Sequence, residues 1–135
     1  MGVRRKSREL ALQILFQENF NPDINMEQSL ALYRESFDTS PEVWEYTKIL
    51  VRGVRDHIAE IDQCIQAYSP NWKLQRMAVV DKSLLRIACF EIKFLDRDVP
   101  PKVVINEAIE IGRKYSSEDS PSFLNAILDN IAKNR

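Results

Sequence analysis

Apolar residues recur along this chain three and four positions apart, the period of an α-helix, and strand-like alternation is scarce. Leu10, Ala11, Ile14 and Leu15 share one face of a first helix running from about Arg4 to Asn19, which the Asn21-Pro22 pair ends. Met26, Leu30, Tyr33 and Phe37 continue the pattern in a second helix, with Asn25 at the N-cap and Gln28 in the capping-box position. Ser-Pro occurs at 40–41, 69–70 and 120–121, a helix-start signature because proline's missing N–H falls where no intrahelical partner exists. The first opens one long helix through Val43, Tyr46, Leu50, Val54, Ile58, Ile61, Ile65 and Tyr68. Ser69-Pro70 breaks it and starts a short turn at 71–74. Val80, Leu84, Ile87, Ala88, Glu91 and Leu95 mark a further helix, which Val99-Pro100-Pro101 interrupts. Another runs to about Tyr115, and the last buries Leu124, Ile127, Leu128 and Ile131. About seven helices with short connections predict an all-α orthogonal bundle, a single domain over 1–135 with helical halves of about 1–68 and 69–135 sharing one core.

Composition narrows the class. The 135 residues are 44% hydrophobic and 29% charged, as in a soluble globular domain. No apolar run nears the ~20 residues that span a bilayer, and no uninterrupted apolar stretch follows the basic start as in a signal peptide. Met1-Gly2 opens like a lipidation signal, but the basic residues behind it and the absence of other membrane signals argue against that. The expectation is a cytoplasmic protein. Cys64 and Cys89 fall in helical apolar patterns and read as buried thiols of a reducing compartment. His57 is the only histidine, so no His/Cys metal cluster is expected; a capping or exposed place on a long helix suits it. Phosphate loops, zinc-protease motifs, paired Cys-x-x-Cys and nucleophile elbows are all missing from the sequence, so neither cofactor nor catalysis is expected. Glu107 and Glu110 lie three apart on a helix, the spacing of solvated surface acids more often than of a catalytic pair.

Charge singles out the first helix. Net charge is −1, yet Arg4, Arg5, Lys6 and Arg8 precede the first acid; without those four of 19 cations, 15 remain against 20 acidic residues. Cations at a helix start oppose the macrodipole, which favours acids there. Either they answer an external anion, for which a phosphate backbone is the natural choice, or they form a solvated tail. On a helical wheel Arg5, Leu12 and Phe16 lie away from the apolar face and Arg8 lies between. Phe16 either packs on a neighbour or joins a binding surface. Asp119 precedes the Ser120 cap, where a carboxylate suits a helix start.

Taken in order, several segments resemble the NusB transcription antitermination family along nearly the whole chain. Residues 4–13 (RRKSRELALQ) resemble its arginine-rich first helix, and 71–77 (NWKLQRM) with 81–88 (DKSLLRIA) resemble its central segment. The most specific stretch is 99–111 (VPPKVVINEAIEI), followed at the family's distance by 118–120 (EDS), 123–125 (FLN) and 128–129 (LD). The resemblance implies two packed helical bundles and a non-enzymatic role in antitermination. It also implies assembly with the ribosomal small-subunit protein NusE on single-stranded boxA RNA, within the antitermination complex of RNA polymerase.

Carried over by position, Arg4, Arg5, Lys6 and Arg8 match the family's RNA-binding helix, and Lys102, Tyr115, Asp119 and Phe123 match further RNA-surface positions. Cations hold phosphates, aromatic rings stack on unpaired bases, and a carboxylate accepts from base or ribose donors. Phe16 and Asp81 match the face for NusE. Asn106, Glu107 and Asn125 read as structural, through caps and inter-helix hydrogen bonds. Three positions depart from the pattern: Phe16 where tyrosine is frequent, Pro101 where an aromatic is, and Ser116 where glycine is. Phe16 forgoes a hydroxyl, Pro101 a stacking partner, and Ser116 puts the local turn geometry in question. Two alternatives are a NusB-like domain of the kind found in RNA cytosine methyltransferases and a homodimer masking its own RNA surface. The first needs a catalytic domain, and the chain ends at Arg135.

Overall fold

The computed structural model describes residues 2–21, 23, 25–37, 39–95 and 99–135. Met1 and Pro22, on which the lipidation and helix-end readings rest, lie outside them. Seven α-helices, and no strand among the described residues, make up the fold: α1 (Val3–Asn19), α2 (Met26–Ser36), α3 (Pro41–Asp56), α4 (Ile58–Ala67), α5 (Val79–Lys93), α6 (Pro101–Tyr115) and α7 (Ser120–Lys133). A 3-10 turn, Leu74–Arg76, precedes α5. The all-α expectation holds, but the helix expected over 41–68 is two, divided at His57, whose φ of −114° and ψ of 21° leave the helical region. Its imidazole stacks on Phe90 of α5 and on Phe94 just past the end of that helix, with ring centroids 6.0 and 4.8 Å apart.

Two helix starts carry side-chain caps. Asn25 accepts from Gln28 N at 3.0 Å and Ser40 from Val43 N at 3.2 Å, so both are the side-chain caps the sequence suggests. Ser120 is different. It is the first residue of α7 and buried, and its hydroxyl donates to Asp81 at 2.7 Å instead of capping.

Helix α5 is the axis of the molecule. It packs against α1, α3, α4, α6 and α7, so it buries Leu84, Leu85, Ile87, Ala88, Cys89, Phe90 and Ile92 on several sides. Burying such an aliphatic side chain contributes ~1.5–3 kcal/mol. Helix α1 lies against both α3 and α5, which is why Leu12, expected off the core face, is buried. Helices α6 and α7 pack on each other and on α5. Cys89 is buried and Cys64 half-buried, both free thiols.

Candidate nucleic-acid interface

The cations opening α1 fall into two kinds. Arg4 and Lys6 are exposed, and the Arg4 guanidinium lies 4.8 Å from the centroid of the Tyr46 ring. Arg5 turns toward α6: its Nε donates to Glu107 Oε1 at 2.9 Å and its Nη2 to Glu107 Oε2. Arg8 is only 3% exposed. Its Nε and Nη2 donate to the two carboxylate oxygens of Glu91 on α5 at 2.7 and 2.8 Å, and Nη1 reaches Glu107 at 3.4 Å. Glu91 also accepts from the Tyr46 hydroxyl at 2.8 Å. Burial alone would lower the pKa of Arg8, but the hydrogen bonds and charge of Glu91 outweigh it and hold the guanidinium above its usual value. Burial, and then the nearby Glu91 charge, push Tyr46 up to about 12.

This corrects the expectation for Arg8. Its misplaced positive charge does answer an anion, but that anion is the protein's own Glu91. Glu107 makes the inter-helix contact expected of it, whereas Asn106 and Asn125 are exposed. Glu110 pairs along its own helix with Arg113 at 3.6 Å.

Several of the remaining residues lie along the α1–α6 seam and at the start of α7. Lys102, in the first turn of α6, is exposed, and its neighbour Val103 helps line a cleft of about 640 Å³ together with Arg4, Arg5, Val99 and Glu107. At the other end of α6, Tyr115 is 49% exposed, its hydroxyl 3.4 Å from Glu9 of α1 and the Lys114 ammonium 5.0 Å from its ring centroid. Asp119 is exposed just before α7. Phe123 is half-buried against the core, meeting the 55%-exposed Trp72 edge-on at 5.6 Å. Trp72 belongs to the 71–77 segment but was not among the expected site residues. The signal was an aromatic in a Pro-bounded turn with no helical face to bury it.

Phe16 and Asp81 part company. Phe16 is 37% exposed and lines a groove of about 600 Å³ with Leu12, Gln13, Phe37, Val80 and Tyr115. Asp81 is buried, its Oδ1 accepting from Ser116 at 2.8 Å and Ser120 at 2.7 Å, so it ties the α6–α7 connection to α5. The position matched to the NusE face is thus a buried carboxylate with internal hydrogen bonds, and its neighbour Val80 lines the groove beside Phe16. Ser116 fits its turn at a φ of −124°, extended backbone open to any residue, so glycine is not required there.

Among the described residues no group of three or more His, Cys, Asp or Glu side chains is placed to hold a metal, and no helix is long and apolar enough to cross a membrane. An all-helical core presenting exposed cations beside exposed aromatic rings defines a candidate nucleic-acid-binding module. The NusB family model matches residues 5–133, and the chain belongs to that family. It is 45% identical over 133 residues to the transcription antitermination protein NusB of Bdellovibrio bacteriovorus, covering 98% of this chain and 97% of that one. The T. maritima NusB structure superposes with a TM-score of 0.88 at 38% identity, covering 98% and 92%. A structure of the antitermination factors NusB and NusE in complex with dsRNA matches at a TM-score of 0.86 and 26% identity, covering 100% and 99%.

Proposed function

We propose that this chain is a transcription antitermination factor that binds boxA-type single-stranded RNA together with the ribosomal protein NusE, promoting processive transcription of ribosomal RNA in the cytoplasm. The observation that carries this reading is the exposed set Arg4, Lys6, Lys102 and Tyr115 along α1 and α6. The cations neutralise phosphates, and exposed rings accept unstacked bases at ~1–3 kcal/mol each. Asp119 at the start of α7 accepts from base or ribose donors, and Phe123 with Trp72 extends the aromatic surface. Arg5 takes part through its half-exposed fork, and Arg8 acts indirectly by fixing α1 on α5. The whole chain works as one unit, its two helical halves meeting on α5. NusE docks in the apolar groove at Phe16 and Val80. The protein acts by assembling a complex on RNA polymerase and breaks no bond.

The test is a salt-dependent titration of the protein with a boxA oligoribonucleotide, with and without NusE. Binding that NusE tightens and salt weakens is expected. Indifference to RNA sequence and to NusE would refute the reading.

A further inference from the structure

Arg8 and Arg5 both reach Glu107, but unequally. Glu91 already meets the Arg8 fork at 2.7 and 2.8 Å, and Arg8 touches Glu107 only at 3.4 Å. Glu107 therefore serves Arg5, which it grips through both carboxylate oxygens. This pair is not sealed in. Its side chains are 31% and 19% exposed, and it borders the open cleft between the first turns of α1 and α6. A bidentate carboxylate offers a guanidinium the same two-oxygen geometry as a phosphate. The hydrogen bond from Arg5 holds the Glu107 carboxyl below its ordinary pKa, so the competing charge is present at neutral pH.

We propose that Glu107 is a built-in competitor for RNA: it occupies the Arg5 fork in the free protein and yields it to a phosphodiester entering the α1–α6 cleft. It thereby sets how tightly the protein holds RNA. This rests on the RNA-binding reading above and adds an unusual sign, since removing an interhelical ion pair strengthens ligand binding.

A double-mutant cycle read with a boxA oligoribonucleotide at fixed salt tests it. Glu107→Gln keeps the shape and removes the charge. Affinity is expected to rise roughly two- to fivefold with Arg5 present, the scale of a partly exposed ion pair, and not to rise in an Arg5→Ala background. Glu107→Asp, which keeps the charge but withdraws it by one methylene, is expected to fall between and carries the test if the glutamine variant does not fold. Circular dichroism and thermal melting check both. An equal gain in the two backgrounds, no gain, or weaker binding overturns the competitor role while leaving RNA binding standing. A wild-type protein that does not bind the oligonucleotide at any salt removes the RNA reading itself.

Discussion

At the scale of single residues, the buried set Arg8, Glu91 and Tyr46 separates stability from RNA affinity. Replacing both ions of such a pair by apolar groups can be neutral, but removing one strands the other charge. Arg8→Met is therefore expected to cost ~3–5 kcal/mol in urea unfolding; a loss below ~1 kcal/mol would contradict the buried pairing. Arg8 was legible as lying between two faces of its helix. Its partners were not, because they stand 83 and 99 residues away and only the fold brings them near. Glu18 shows the opposite balance. Its carboxylate is buried without a hydrogen-bond partner, and burial raises its pKa, partly offset by Arg55 at 3.8 Å. A raised folded-state value means the ionised form opposes folding at neutral pH, an effect relieved as pH falls through that value. Glu18→Gln is thus expected to raise the melting temperature at pH 7, with the difference vanishing below the ordinary carboxyl range. An unchanged melting temperature at pH 7 would argue against it.

At the scale of elements, Gly53 of α3 makes room for the Phe90 ring of α5. A Cβ at Gly53 would stand 2.1 Å from the Phe90 ring, so the usual helix preference for alanine over glycine reverses here. Gly53→Ala is expected to destabilise by ~1–3 kcal/mol, the cost of overpacking, as read by chemical denaturation; a more stable variant would mean that the ring moves freely. The α3–α4 break is the clearest element that sequence patterning missed. Neither glycine nor proline marks residue 57, and apolar positions recur straight through it. What divides the helix there is tertiary, the stacking of His57 on α5. Ser120 likewise carried a cap signature, but a buried aspartate on another helix claimed its hydroxyl.

At the scale of the whole molecule, the split between free and occupied cations has a measurable consequence. Alanine at both Arg4 and Lys6 is expected to reduce the slope of log affinity against log salt by up to about 1.4, at ~0.7 per single-strand phosphate contact, with little change in stability. An unaltered slope would remove Arg4 and Lys6 from the RNA surface. Phe123→Ala is expected to cost ~1–3 kcal/mol of affinity through stacking with the slope unchanged, and also to lower the melting temperature, since its ring packs on the core. Helix class and the buried stripe of α7 were readable because periodicity and proline punctuation are local. Which cations face solvent was not, because that depends on carboxylates from α5 and α6.

The central place of α5 also bears on how the chain is made. Helices α1 and α3 pack on each other, but both, together with α4, also bury apolar surface against a helix that starts only at Val79. During synthesis, the ribosome must extend the chain from Ala67 to Lys93 before that support exists, on the order of one to several seconds at ~5–20 residues per second. For that interval the part of the N-terminal apolar surface that faces α5 stays open to water and to chaperones. A ribosome stalled before α5 has emerged is expected to display a protease-sensitive nascent chain, and one stalled well beyond it a protected one.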